Sequence, residues 1–404
     1  MKKLIFSLIA IIFINTLLLA QNSWNQKSCM YNYGRHVAIS FTIGNKAYVG
    51  LGEKIDGSMP VDFWEYNPCT NRWTKKANFP GGGRYAATGF TINGKGYVCL
   101  CLKSDEINAY DLWEYNPTND TWTIKADFPG TPRYGASCFV IGDSAFIGTG
   151  SYGMSDDYLY DIWMYVPQTD TWKRKSDFPG LNRLHATAFS IGHFGFMGTG
   201  LSDDITPTRD FWKYSPVYDH WYRCSDFPDI GRLGCTSFVI NNSGFVGLGF
   251  DQDVDYNNFY IYSPESDTWD GVNVDTNIIA RRGSLGFSIG RVGYFCTGET
   301  KDGLLPDLWS FDFDQIDNDP IAHSENQIFL IYPSPSQDFI TIESSSNFRN
   351  NVVSIYNAIG QELIKVPLSN RLEVVDIRKF VIGTYFAKIR DQRKVKTVKF
   401  VKDY

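Results

Sequence analysis

The chain has 404 residues, of which 16% are aromatic, with 36 Gly and 17 Pro; this is the composition of a turn-rich β protein. The formal charge of −6 is unevenly spread: residues 324–404 hold 12 Lys and Arg against 8 Asp and Glu, whereas 21–323 hold 24 against 36. A mildly acidic body repels phosphate backbones and anionic lipid, so nucleic acid and membrane surfaces are not expected partners.

The chain opens Met1-Lys2-Lys3, then runs apolar from Leu4 to Ile14 and again through Leu17-Leu18-Leu19-Ala20. A basic start, a short apolar core and a small residue before Gln21 describe a secretory signal peptide over 1–20. An anchor needs about 20 uninterrupted apolar residues, and Asn15-Thr16 interrupts this run. No later stretch is long or apolar enough to span a bilayer, so a mature, exported chain without a transmembrane segment is expected.

A unit of some fifty residues then repeats six times. Arg35, Arg84, Arg133, Arg183, Arg232 and Arg282 align at spacings of 49, 49, 50, 49 and 50. Each Arg opens a strand of small and apolar residues, such as Tyr134-Gly-Ala-Ser-Cys-Phe-Val-Ile, that reads as innermost and buried on both faces. Gly and Asn pairs (Gly44-Asn45, Asn93-Gly94, Gly142-Asp143) mark tight hairpin turns into a Gly-containing second strand. A variable loop leads to a third strand with Asp62-Phe-Trp64, Asp111-Leu-Trp113, Asp161-Ile-Trp163, Asp210-Phe-Trp212, Asn258-Phe-Tyr260 or Asp307-Leu-Trp309. The fourth strand carries Trp73, Trp122, Trp172, Trp221 or Trp269. Four short antiparallel strands per repeat make a propeller blade.

The sixth repeat lacks its fourth strand. Trp24 lies 11 residues before Arg35, the spacing by which Trp73, Trp122, Trp172 and Trp221 precede their next Arg. Trp24 is therefore expected to supply the missing outer strand and clasp the ring, which removes an exposed edge. The six tryptophans Trp24, Trp73, Trp122, Trp172, Trp221 and Trp269 read as scaffold, each burying a large ring between blades.

The Arg-opened strand, Gly-rich second strand, Tyr-x-Pro turn and following Trp resemble kelch repeats across roughly 24–313. This chain departs from the family's adjacent glycine pair, with Gly50-Leu-Gly52 and Gly148-Thr-Gly150 in its place. The resemblance implies an all-β, six-bladed kelch-type propeller closed by the N-terminal strand, over 21–314. Some kelch-like propellers act on sialic acid, and in kelch domains positions like those of the six arginines often help bind ligand.

After a linker at 315–326, residues 327–404 read as about seven short strands of a small Ig-like β-sandwich. Tyr332-Pro-Ser-Pro335, Tyr356-Asn-Ala-Ile-Gly-Gln361, Gly383-Thr-Tyr385 and a basic final strand resemble the C-terminal sorting domain of the type IX secretion system of Bacteroidetes. That resemblance implies transport across the outer membrane by the secretion machinery, to the cell surface or the medium.

Eight cysteines in an exported chain raise the question of disulfides. Cys99, Cys101, Cys138 and Cys296 sit in strands and read as small buried residues. Cys29, Cys69 and Cys224 lie nearer turns and are candidates for pairing.

Chemistry is sparse. The five histidines show no ligand spacing, although His36 and His185 both follow a blade-opening Arg near the ring's mouth. No cofactor is expected. Asp251-Gln-Asp253-Val-Asp255 starts like a calcium loop but has Tyr256 at the sixth position and Tyr262 at the twelfth. No nucleophile elbow or phosphate loop is present, so no catalytic residue is assigned. Each second strand's loop and each first strand's lead-in share one face, which gathers the loops 53–61, 102–110, 151–160, 201–209, 250–257 and 299–306 around the arginine ring. Those arginines either bind a ligand by paired hydrogen bonds or pair with a neighbouring blade's Asp or carbonyl groups and rivet the ring. The loop tyrosines Tyr110, Tyr152, Tyr158, Tyr160 and Tyr256 favour binding. Three functions follow: a surface or secreted binding module for carbohydrate or protein, a sugar isomerase or mutarotase at the mouth, or a structural surface protein.

Overall fold

The computed structural model describes residues 23–30, 34–105, 107–153, 157–313, 329–332, 339–344, 352–368, 372–390 and 395–402. The signal segment 1–20 and the linker 315–326 lie outside the described residues. The chain divides into two compact units, Met1–Ile316 and Asp317–Tyr404.

The first unit holds six four-stranded antiparallel sheets of propeller-blade form. In the first blade, Ile39–Ile43, Lys46–Gly50, Phe63–Asn67 and Arg72–Lys76 lie in sequence order from inside to outside. The next four blades repeat that order. The sixth takes Leu285–Ile289, Val292–Cys296 and Leu308–Asp312, and its outer strand is Ser23–Lys27, paired through Trp24 with Phe311. The first strands alternate buried and half-buried residues, as in Thr88–Ile92. They are not buried on both faces, because their half-buried side lines a central cavity.

Packing between blades is aromatic against glycine. A Cβ on Gly96 would lie 2.1 Å from the Phe41 ring of the preceding blade; Gly195 meets Phe139 at 2.2 Å and Gly293 meets Phe238 at 2.2 Å. In the second blade Cys101 replaces the glycine that elsewhere lies just past the second strand, such as Gly150. Its φ opens to 158° against 96° at Gly150, so the strand runs on to Leu102 with a register shift after Cys99.

Two sets of hydrogen bonds link consecutive blades. The Val37 N–H donates to Gly283 O, Gly283 to Gly234, Gly234 to His185, His185 to Gly135, Gly135 to Ala86, and Ala86 to Val37, at 3.0–3.2 Å. All six residues are left-handed, with φ from 42° to 62°. Further out, each of the six tryptophan indoles donates to the carbonyl of the residue that follows the neighbouring outer strand, from Trp73 to Ser28 O (2.8 Å) round to Trp24 to Asn273 O (3.0 Å).

The second unit has a three-stranded sheet (Phe329–Tyr332, Phe339–Ser344, Leu372–Asp376) and a four-stranded one (Glu362–Pro367, Val352–Asn357, Gly383–Arg390, Val395–Lys402). Ile340 and Ile342 from the first share one core with Val353, Ile355, Ile389 and Phe400 from the second.

All eight cysteines are free. Cys224 is not at a turn: it ends the outer strand His220–Cys224 and is buried, while Cys29 and Cys69 are exposed and unpaired. Burial pushes the Cys101 and Cys235 thiols up to about 11, so they stay protonated and unreactive at neutral pH.

Candidate binding site

The arginine ring is interior. Arg35, Arg84, Arg133, Arg183 and Arg232 have no exposed surface. In the third blade Arg133 holds both oxygens of Asp161 at 2.7 and 2.9 Å and donates to Thr131 O and Thr149 O. Trp163 donates its indole N–H to the same Asp161 at 2.7 Å, and Phe128 lies beneath the guanidinium at 5.1 Å. Arg35, Arg84 and Arg183 repeat this with Asp62, Asp111 and Asp210. A guanidinium so enclosed presents no donor to a ligand. These five are rivets, and each pairs with an Asp of its own blade.

The fifth blade solves the same problem differently. Asn258 and Tyr260 stand where the others have Asp and Trp, and the carboxylate comes from Asp229, three residues before Arg232 and bonded to it at 2.5 Å. In the second, third and fourth blades that position is Gly81, Gly130 or Gly180. A Cβ there would crowd the pair; at Gly180 it would lie 2.6 Å from Arg183 and 2.7 Å from Asp210.

The sixth rivet is Arg281, not Arg282. Arg281 is fully buried, pairs with Asp307, and donates to Ile279 O and Thr297 O. Its carbonyl accepts from Gly249 N, as that of Arg232 does from Gly200 N. The adjacent Arg281-Arg282 pair let the spacing settle one residue late.

Arg282 instead occupies the position that follows each rivet, where the other blades have His36, Tyr85, Tyr134, Leu184 and Leu233. Each of these pairs with the start of its own blade's loop: His36 with Glu53, Tyr85 with Leu102, Tyr134 with Ser151, Leu233 with Phe250 and Arg282 with Glu299. They form the mouth of the unit on the loop face. One arc is aromatic: His36 to Tyr85, Tyr85 to Tyr134 and Tyr134 to His185, with ring centroids 5.6, 6.2 and 6.3 Å apart. The other arc is charged. His36 lies 3.1 Å from Glu53 and 3.2 Å from Glu299, and Arg282 bonds Glu299 at 3.1 Å and Asp255 at 3.2 Å while resting 4.1 Å above Phe250. Among the described residues, Arg282 Nη2 and the Tyr85 hydroxyl have no hydrogen-bond partner.

Burial raises Asp255 above the ordinary carboxylate value. Burial, with the neighbouring Glu53, pushes the Tyr85 phenol up to about 12. Burial, with His36 nearby, lowers His185 to about 4, so its imidazole is neutral at pH 7. Beneath the mouth the left-handed residues line a cavity of about 140 Å³, and a second of about 220 Å³ follows among the first strands. Most of its hydroxyls are spent between blades, as in Ser137 to Ala186 O (2.8 Å) and Thr88 to Ala136 O (3.2 Å).

Of the loop tyrosines, Tyr110, Tyr152 and Tyr160 are exposed and Tyr158 is buried. Tyr256 lies 3.9 Å over the buried Arg232 and donates to Asp251. In the acidic loop, Asp251 also accepts from the Asp253 and Val254 N–H groups, and Asp255 is held by Arg282. Among the described residues no group of three or more His, Cys, Asp or Glu is placed to hold a metal ion. The sequence leaves Tyr85, Tyr134, Glu53 and Glu299 unmarked except by their place one residue after a rivet or at a loop's start, and it marks Asp255 only as part of a calcium-like loop.

Residues 330–403 match the secretion system C-terminal sorting domain family. The C-terminal unit is a sorting domain. It consigns the chain to the type IX secretion system, so the protein is secreted or displayed on the cell surface. Among the described residues no helix is long and apolar enough to cross a membrane. The structure of YjhT, a kelch-repeat propeller, aligns with 72% of this chain and 97% of its own, at 15% identity and a TM-score of 0.62. At that identity the likeness is one of fold, and 452 solved chains share it to a significant degree, so the fold alone selects no ligand. No curated protein sequence matches the chain.

Proposed function

We propose that the six blades close into one kelch-type propeller, clasped by the N-terminal strand, and that this propeller is a secreted or surface-displayed module binding neutral carbohydrate at its mouth. Closure is supported by the pairing of Ser23–Lys27 with the sixth blade and by the inner hydrogen bonds, which return from Ala86 to Val37. The binding reading rests on one observation: the mouth sets aromatic faces beside carboxylate acceptors and one guanidinium with a free donor. Sugar rings need apolar faces to stack on and both kinds of hydrogen-bond partner around them. Among the fixed charges, Glu53, Glu299 and Asp255 outnumber Arg282, which disfavours an acidic sugar. Val37, Ala86 and His185 hold the costly left-handed backbone there, a strain that clusters at functional sites.

A sugar isomerase or mutarotase calls for an enclosing pocket. Neither the cavity beneath the mouth, about 140 Å³, nor the one that follows it, about 220 Å³, reaches by itself the roughly 300 Å³ at which ligand pockets begin. A protein ligand has its own support in the aliphatic residues at the loop tips, where Ile55 is 79% exposed and Ile107, Ile205 and Val254 each 50% or more. A glycan array probed with the full chain separates the readings. Binding to neutral glycans, lost in Tyr85→Ala and Arg282→Ala and kept in Ile55→Asp, supports the carbohydrate site. A blank array refutes it and leaves the loop tips as the candidate surface.

A further inference from the structure

The sorting domain carries an apolar surface that its own core does not use. At one end of the four-stranded sheet, Ile359 is 87% exposed, Val381 79% and Ile382 52%. Strand register puts them together: Asn357 pairs with Tyr385, and Gly383 with Lys402, so the turn after Val352–Asn357, the lead-in to Gly383–Arg390 and the end of the last strand share that end.

Both exposed segments are held rigidly. Around Ile359, Asn357 accepts from the Gln361 N–H at 2.9 Å and donates its side-chain amide to Gln361 Oε1 at 3.1 Å; the Asn357 N–H bonds Gln361 O, and Gly360 turns the chain at φ 84°. Beside Val381, the buried Tyr385 donates its hydroxyl to the Val381 carbonyl and packs its ring, tilted, against Phe380 at 4.9 Å. A floppy turn would let its aliphatic residue fold back onto the sheet. Here two separate networks brace the backbone beside Ile359 and Val381, which lowers the ordering entropy of docking. Isolated exposed aliphatics are ordinary, but three adjoining ones on braced backbone mark an interaction surface.

We infer that Ile359, Val381 and Ile382 form the docking patch by which the sorting domain is received, inserting into an apolar groove on a protein of the type IX secretion machinery. That occupant follows from the family match over residues 330–403, which makes the machinery the domain's partner without saying which surface meets it. The inference rests on that reading of the domain.

The test is export of the full chain in a host that carries this secretion system. Three matched variants are needed: Ile359→Asp with Val381→Asp, Val374→Asp, and deletion of 327–404. Val374 is 66% exposed and lies in the other sheet, paired with Thr341, so it controls for a charge on an exposed aliphatic site. Ile359→Asp/Val381→Asp is expected to cut surface-delivered protein by about tenfold or more, the scale of losing central apolar anchors. Val374→Asp is expected to export normally. Melting of each purified full chain, followed by circular dichroism, checks that the sorting unit stays folded. Normal export of the patch variant overturns the inference, and so does equal failure of Val374→Asp. Normal export of the deletion instead overturns the sorting reading itself.

Discussion

Replacing Asp161 by Asn leaves Arg133 buried with full charge and no anion. The substitution keeps volume and shape, so its cost is electrostatic. Arg133 has no exposed surface and Asp161 only 15%, and their two contacts at 2.7 and 2.9 Å are joined by the Trp163 indole at 2.7 Å. Removing one partner of a buried pair costs about 3–5 kcal/mol. The slight exposure of Asp161 and the carbonyls that still serve Arg133 set the expected loss near the low end, about 3 kcal/mol. Urea unfolding of the full chain, followed by tryptophan fluorescence, measures it as a fall in midpoint for the propeller transition. The fifth blade supplies the rescue. Adding Gly130→Asp and Trp163→Tyr to Asp161→Asn rebuilds the arrangement of Asp229, Asn258 and Tyr260, with the tyrosine relieving the 2.8 Å approach to the Trp163 indole. At least half of the loss is expected to return. A cost below about 1 kcal/mol for Asp161→Asn, the level of a surface ion pair, refutes the rivet.

Acid should unfold the propeller through these pairs. Burial raises Asp111, Asp161 and Asp210, but the hydrogen bonds and charge of their arginines outweigh it and hold all three below the ordinary carboxylate value. A depressed folded-state value gives stability that is present above the unfolded Asp value of about 3.9 and is lost as pH falls through the folded one. Melting temperature should therefore fall more steeply below about pH 4 in the wild type than in Asp161→Asn. Gly195→Ala should cost about 1–3 kcal/mol in chemical denaturation, since its Cβ meets the Phe139 ring. Trp24→Ala should cost about 3–5 kcal/mol, because its ring lies against Phe259, Phe295 and Phe311 at the clasp.

The fold was legible because each element recurs six times. The 11-residue interval before Arg35 was enough to put Trp24 in the sixth blade, and Trp24 pairs there with Phe311. The rivets were half legible: Arg and Asp recur together, but only burial decides between a ligand-facing fork and an occupied one. Repetition itself misled at Arg281-Arg282, where the lead-in from Trp269 is one residue longer than the 11 elsewhere and two arginines adjoin. The mouth was illegible for the opposite reason. Its residues vary around the ring, from His36 through Tyr85 and Leu184 to Arg282, and their partners Glu53, Asp255 and Glu299 lie on loops of unlike sequence. Periodicity finds what blades share, and a binding site is made of what they do not.

Calorimetric titration of a neutral oligosaccharide into the full chain, in parallel with its sialylated counterpart, tests the central claim most directly. Saturable binding of the neutral sugar, weaker binding of the acidic one, and a loss of about tenfold in Tyr85→Ala, from an aromatic contact of about 1.5 kcal/mol, is the predicted result. Preference for the sialylated sugar, or binding untouched by Tyr85→Ala, contradicts a neutral carbohydrate site at the mouth.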